Sequence, residues 1–265
     1  MAVRGRPLPG EAAGQHFLRS RRLAADLVAE AEVSRGDLIV EIGGGTGVLT
    51  DALARTGAAV VVIERDRTLA AQLRARFAQK PDVVVIEDAI ARYSWPREPF
   101  AVVANLPFVG SGAILARLLH DPTIPLRQAD VIVQWEFAAK HAAVWPATLR
   151  AIQWRAWYEV SIVRRLARTA FTPPPSVDAA VLRLSRRPRP RVAPERHEEY
   201  RAFLTAAFDA QEPIRRGLRR SLPPLEVKRL APALGFSPDA RAWEIGAEQW
   251  AQLFALANGR GGRGA

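Results

Sequence analysis

Apolar positions along this chain switch between helical and strand spacing, and each switch marks an element. In "FLRSRRLAADLVAEAEV" (17–33), Leu23, Leu27, Val28 and Ala31 recur at helical spacing. "DLIVEIG" (37–43) is a short β-branched run that stops at glycines. Helical and strand patterns then alternate: "TGVLTDALARTG" (46–57), "AAVVVIERD" (58–66), "RTLAAQLRARFAQ" (67–79), "DVVVIEDA" (82–89), "FAVVANLP" (100–107) and "GAILARLLH" (112–120). "ADVIVQWEF" (129–137) reads as a strand before a helical patch to about residue 155. Near-continuous apolar strands separated by helices predict a parallel sheet covered on both faces. "WYEVSIVRRLA" (157–167) and "VDAAVLRLSRR" (177–187) lie only a loop apart, too close for a crossover helix. They are expected to pair antiparallel at the sheet edge. The expected fold is α/β, a seven-stranded mainly parallel sheet with one reversed strand.

The pattern breaks at "RRPRPRVAPE" (186–195), where three Pro and four Arg predict a linker. Only helical patterns follow, in "EEYRAFLTAAFDA", "IRRGLRRSL", "LEVKRLAPALG" and "AEQWAQLFALANG". The expected division is a flexible arm over 1–14, an α/β domain over 15–187, a small helical domain over 188–258 and a disordered tail over 259–265.

Composition narrows the class. With 49% hydrophobic residues in 265, a sizeable core can be buried. No apolar run approaches membrane-spanning length, and the first residues lack a secretory apolar segment, so a cytoplasmic location is expected. Cysteine is absent, which excludes disulfides and thiolate metal sites. His141 and His197 have no partner at ligand spacing, so no metal site is expected. The net charge of +11 points to a polyanionic partner, with nucleic acid the first candidate and plain solubility the alternative.

The strand ends carry the candidate chemistry. "VEIGGGTGVLT" sets Gly43, Gly44, Gly45 and Gly47 between a strand and a helix, where backbone can approach a ligand closely. Such a loop serves dinucleotides and S-adenosylmethionine alike, or simply makes a tight turn. Glu64 ends the second strand, where a carboxylate can accept from ribose hydroxyls. Asp88 ends the third, placed to accept an adenine amine, and Asn105 ends the fourth. Ligands of open α/β sheets bind outside the carboxyl ends of the strands, so these residues are expected to face one crevice.

"NLPF" (105–108) reads as an ordinary Asn-X-Pro turn or as a grip on a planar substrate. In the second reading the Asn105 side-chain oxygen and the Leu106 carbonyl each accept one N–H of an exocyclic adenine amine. Pro107 fixes the backbone, and Phe108 stacks on an extruded base. Positioning and electrostatics then do the catalysis.

"GQHFL" (14–18), "EIGGGTG" (41–47), "VIERD" (62–66), "IEDA" (86–89), "NLPF" (105–108) and "FTPPPSVDAAVLRL" (171–184), taken in order, resemble the ribosomal RNA adenine N6-methyltransferases. The resemblance spans residues 14–187 and fits the helical tail. It implies a Rossmann-like, SAM-dependent methyltransferase fold over 15–187 and an RNA-associated helical domain. It gives cofactor roles to His16, Leu18, Gly43, Gly45, Glu64, Arg65, Asp88, Ala89 and Asn105, with S-adenosyl-L-homocysteine as product. Catalytic roles fall to Asn105, Leu106, Pro107, Phe108 and Phe171. For Phe171, edge-strand packing is the competing reading.

The family has two main branches, the small-subunit (16S) dimethylase of ribosome maturation and the 23S rRNA methylase of macrolide–lincosamide–streptogramin resistance. "NLPF", "LARLLHDP", "VQWEFAAKHA" and "QWRAWYEV" are similar to the actinobacterial resistance form. Trp135 stands where the maturation branch usually has Lys; Leu106 departs from the commoner Ile of the resistance branch, and His16 stands where Asn or His is found. The expected partner is 23S rRNA, bound by a monomer. A non-catalytic RNA-binding factor on the same fold is the alternative of a different class, although it would need none of Glu64, Asp88 and Asn105. Arg164, Arg165 and Arg168, the run Arg183 to Arg191, and Arg215 and Arg216 are the candidate RNA-phosphate contacts. A solvated basic face is the alternative reading.

Overall fold

The computed structural model describes residues 15–143 and 145–258. Its strands are β1 (Phe17–Leu18), β2 (Leu38–Ile42), β3 (Ala59–Glu64), β4 (Val83–Glu87), β5 (Phe100–Asn105), β6 (Leu126–Gln134), β7 (Tyr158–Leu166), β8 (Phe171–Thr172) and β9 (Ala179–Arg186). The α-helices are α1 (Arg21–Glu30), α2 (Val48–Leu53), α3 (Arg67–Arg76), α4 (Ser111–Leu119), α5 (Trp135–Ala142), α6 (Leu149–Arg155), α7 (His197–Asp209), α8 (Ile214–Gly217), α9 (Pro224–Ala233) and α10 (Ala247–Asn258).

Seven strands form one sheet in the order β4-β3-β2-β5-β6-β9-β7. β4, β3, β2, β5 and β6 run parallel, and β9 is the reversed strand, antiparallel to β6 from Gln128↔Ser185 to Gln134↔Ala179. The chain winds from β2 outward to β4, then returns to β5 on the other side of β2. That reversal is the topological switch point at which ligands of such sheets bind. Helices α1, α2 and α3 bury Val28, Leu49, Leu53 and Leu73 against Ile39, Val60, Val62 and Val103. Each fully buried aliphatic side chain contributes roughly 1.5–3 kcal/mol. Local signals fix the helix starts: Ser20 accepts from the Leu23 N–H at 3.1 Å, and Asp66 from the Thr68 and Leu69 N–H groups at 2.8 and 3.0 Å.

Two compact units are present. One consists of the described residues through His120 with Ile124–Ala138 and Ser161–Ser185. The other consists of Asp121–Thr123, the described residues of Ala139–Val160, and the described chain from Arg186 onward. The helical segment after α5 therefore clusters with the C-terminal helices, although the sequence pattern groups it with the sheet. The expected arm over 1–14 and tail over 259–265 lie outside the described residues.

Three elements differ from the sequence expectation. The predicted strand 129–137 begins and ends earlier: β6 stops at Gln134, and Trp135 opens α5. Glu136, Ala138, Ala139 and Lys140 are strong helix formers, and the Trp135 N–H closes the strand on the Asp178 carbonyl at 2.9 Å. The proline–arginine stretch is packed rather than a free linker. Trp157 Nε1 donates to the Val192 carbonyl at 2.8 Å, and the Arg187 Nε and Arg191 guanidinium N–H groups donate to the Arg155 carbonyl at 3.0 and 2.9 Å. Lastly, the loop between the last two predicted strands (157–167 and 177–187) contains a short strand of its own, β8, which begins at Phe171. β8 pairs antiparallel with β1, Leu18 opposite Phe171, in a separate two-stranded sheet.

Candidate active site

A cavity of about 320 Å³ opens at the carboxyl ends of β2, β3, β4 and β5. His16, Leu18, Gly43, Gly45, Glu64, Arg65, Asp88, Ala89, Asn105, Leu106 and Pro107 all line it. The strand-end residues Gly43, Glu64, Asp88 and Asn105 thus border one crevice.

The glycine turn is shaped by its neighbours. A Cβ on Gly44 would lie 2.5 Å from Val62 Cγ1 and 2.8 Å from Leu73 Cδ1, so only glycine lets the turn sit against β3 and α3. Gly45 has φ +53°, and a Cβ there would meet the Phe17 ring at 2.8 Å. Its N–H donates to Glu64 Oε2 at 2.9 Å, while Glu64 Oε1 accepts from the Asp66 N–H at 2.9 Å. Glu64 is 3% exposed. Each carboxylate oxygen thus keeps lone-pair capacity beyond the one backbone donor it holds.

Glu41, on β2, also lines the cavity and was not singled out in the sequence. Burial lifts its carboxyl to about 8, the Thr50 hydroxyl donating to Oε2 at 2.6 Å works against this, and the nearby Glu64 carboxylate adds to it. An acid inside an otherwise apolar strand, "LIVEI", was the available signal. Phe17, packed over Gly45, left none, because its position depends on the two-residue β1–β8 pairing.

Asp88 accepts from the Ala89 N–H at 2.7 Å and from Arg92 Nε at 2.8 Å. Those bonds, the Arg92 one foremost, hold its carboxyl below the usual range. Asn105 Nδ2 donates to the His16 carbonyl at 2.7 Å, which fixes the amide's orientation. Its Oδ1 is enclosed and has no hydrogen-bond partner among the described residues. The Leu106 side chain is buried, and its N–H donates to the Ile132 carbonyl at 3.1 Å.

Phe108 and Phe171 lie behind this surface. Phe108 is 7% exposed, meets the His16 ring at 5.0 Å and packs edge-on to Phe171 at 5.9 Å. Phe171 is fully buried among Leu18, Leu27, Ile132 and Leu166, so its ring is engaged in packing.

The basic candidates divide. Arg164 is paired with Glu30. Arg165 donates to Asp178 at 2.9 and 3.1 Å and lies over the Trp135 ring at 4.6 Å. Asp178 also accepts from the Arg168 N–H at 3.1 Å, and these donors, that N–H first, hold its carboxyl low. Arg168 is exposed. Arg215 is paired with Asp239 at 2.6 Å, and Arg216 beside it is exposed. Among the described residues no group of three His, Cys, Asp or Glu is arranged to hold a metal ion, and no helix is long and apolar enough to cross a membrane.

A sheet reversed at its switch point, a glycine turn after the first strand and polar groups at the next three strand ends define a Rossmann-like methyltransferase. The comparisons specify it further. The family model for ribosomal RNA adenine dimethylase matches residues 11–258. An "rRNA adenine N-6-methyltransferase" of Corynebacterium diphtheriae is 32% identical, covering 75% of this chain and 77% of its own. A "Ribosomal RNA small subunit methyltransferase A" of Gloeobacter violaceus is 35% identical, covering 91% and 90%. Among solved structures, the 23S rRNA methyltransferase ErmE superposes with TM-score 0.79 at 28% identity, covering 91% of this chain and 99% of that one. The chain belongs to the ribosomal RNA adenine dimethylase family, and it is an enzyme, an rRNA adenine N6-methyltransferase.

Proposed function

We propose that this enzyme methylates N6 of one adenine in 23S rRNA, in the manner that confers resistance to macrolide-type antibiotics. The unpartnered Oδ1 of Asn105 is the observation that carries the chemistry. A buried acceptor without a donor is costly, by roughly 1–3 kcal/mol, and an adenine amine supplies the missing donor. The amine's lone pair is delocalised into the ring. Accepting its two N–H bonds, one at Asn105 Oδ1 and one at the Leu106 carbonyl, favours a pyramidal nitrogen that can act as nucleophile. Phe108 closes the adenine's surroundings, with Phe171 supporting its ring from behind.

The cavity suits S-adenosylmethionine. Glu64 has acceptor capacity for ribose hydroxyls, Asp88 for the cofactor's adenine amine, and the glycine turn leaves room for the ligand backbone. Gly43, Gly45, Arg65, Ala89, His16 and Leu18 complete the wall. When bound, S-adenosylmethionine supplies an electrophilic methyl group on a sulfonium. The sheet unit carries catalysis and the helical unit associates with RNA, in a cytoplasmic monomer. Of the basic residues, Arg168 and Arg216 serve phosphates most directly, because Arg164, Arg165 and Arg215 already hold carboxylates.

The 23S target is supported by the ErmE likeness and by the "VQWEFAAKHA" and "QWRAWYEV" segments. The small-subunit relatives favour a second reading, 16S dimethylation during ribosome maturation. Methyl transfer to protein-free 23S rRNA and to 30S subunits, run side by side, separates them. Labelling of 23S rRNA alone is expected; labelling confined to 30S subunits overturns the target.

A further inference from the structure

The helical unit contains a second cavity, of about 600 Å³, within the size range of small-ligand sites. Arg155, Arg187 and Arg191 line it, with Trp145, Gly246 and, in the first turn of α10, Glu248. The charges there are unevenly disposed. The Arg187 and Arg191 side chains are only 17% and 25% exposed, whereas their carboxylate partners Glu159 and Glu248 are 64% and 70% exposed, at 3.2 and 3.7 Å. Arg155 spends one N–H on the Ala142 carbonyl at 2.6 Å, and its Nε–H is enclosed without an acceptor among the described residues. Three cations thus face inward against two solvent-screened anions. Burial and mutual repulsion lower the proton affinity of Arg155 and Arg187, as expected of cations with too little counter-charge. Trp145 is 51% exposed, with its ring beside Gly246.

We propose that this cavity is a nucleotide site, in which a phosphate group sits among the Arg155, Arg187 and Arg191 guanidinium groups and its base stacks on Trp145. Arginine clusters suit phosphate because their N–H forks match its oxygens, and an exposed indole is a stacking platform for any base. The source assigned here is an unpaired nucleotide of an RNA strand, which rests on the RNA-methyltransferase reading; a free nucleotide shares the chemistry. On this view the helical unit holds RNA by one anchored nucleotide rather than by its scattered surface charge.

The test measures binding of a short fluorescein-labelled single-stranded RNA to the full chain by anisotropy, without methyl transfer. AMP and inorganic phosphate serve as competitors. Glu248→Gln removes a rim anion and is expected to tighten binding by about twofold to fivefold, a gain that misfolding cannot mimic. Trp145→Ala is expected to weaken it by roughly 5- to 150-fold, and Arg191→Gln to reduce the log–log salt slope by about 0.7. Weak displacement by AMP supports the RNA source. Displacement by AMP at concentrations matching the RNA affinity keeps the site and reassigns its ligand to a free nucleotide. Unchanged RNA and AMP binding in both Glu248→Gln and Trp145→Ala overturns the proposal. Because methyl transfer and S-adenosylmethionine affinity are measured separately, that failure leaves the methyltransferase reading standing, and failure of methyl transfer leaves this binding result interpretable.

Discussion

Replacing Glu64 with Ala separates two roles that one carboxylate performs. In the structure Glu64 satisfies the Gly45 and Asp66 N–H groups, both at 2.9 Å, and offers its remaining lone pairs to the cavity. Losing it leaves two poorly hydrated donors unmatched, at about 1–3 kcal/mol each. The expected loss of folding stability is therefore roughly 2–6 kcal/mol, which a domain in the middle of the usual range of about 5–15 kcal/mol survives. Separately, charge-assisted bonds to the ribose hydroxyls are lost. At about 1.5–3 kcal/mol, S-adenosylmethionine affinity should fall roughly 10- to 150-fold. Titration calorimetry measures the affinity and urea unfolding the stability. Asp66→Ala is the control: it removes the α3 cap contacts to Thr68 and Leu69 and should cost about 1 kcal/mol of stability with no change in affinity. Affinity in folded Glu64→Ala within about threefold of the parent would refute the ribose role. Equal affinity losses in both variants would show that turn geometry, not the carboxylate, governs binding.

Glu41→Gln tests the buried acid. Its folded pKa of about 8 lies above the ordinary 4.5, so its favourable contribution is complete below about pH 4.5 and is lost as pH rises through 8. The parent should lose stability between about pH 4.5 and 8, with little further change above, while the variant shows a flatter urea-unfolding profile; parallel profiles would exclude an elevated Glu41. Gly44→Ala should destabilise by about 1–3 kcal/mol through the Val62 and Leu73 clashes, and unchanged thermal unfolding would refute that packing. Arg164→Ala should act on stability more than on RNA affinity, because it strands Glu30, whose Oε2 is already enclosed and unpaired. Arg216→Ala should instead lower the RNA log–log salt slope by roughly 0.7–0.9, and the reverse ranking of the two would mean that the ion-paired Arg164, not the exposed Arg216, meets the phosphates.

The cavity wall at the strand ends was legible in the sequence because strand periodicity places strand ends, and the sheet rule brings those ends to one crevice. Gly43, Glu64, Asp88 and Asn105 needed no knowledge of distant contacts. What was not legible depended on long-range partners. Arg164 and Arg165 look like phosphate ligands until Glu30 and Asp178 are seen beside them. Phe171 looks available until the β1–β8 pairing buries it. The strand-to-helix change at Trp135 was hidden because apolar residues continue across it, and the packed strap at 187–192 because proline and arginine also compose free linkers.

Asn105 is the most direct point of attack on the whole account. Its Oδ1 has no partner among the described residues, and the proposed chemistry gives it one. Single-turnover methyl transfer by Asn105→Ala, at saturating RNA and S-adenosylmethionine with both affinities measured alongside, isolates that contribution. The predicted result is a rate lower by about 10²–10³ with the fold intact by circular dichroism. A rate within about threefold of the parent would contradict it, since no preorganised acceptor of the reacting amine can be removed so cheaply.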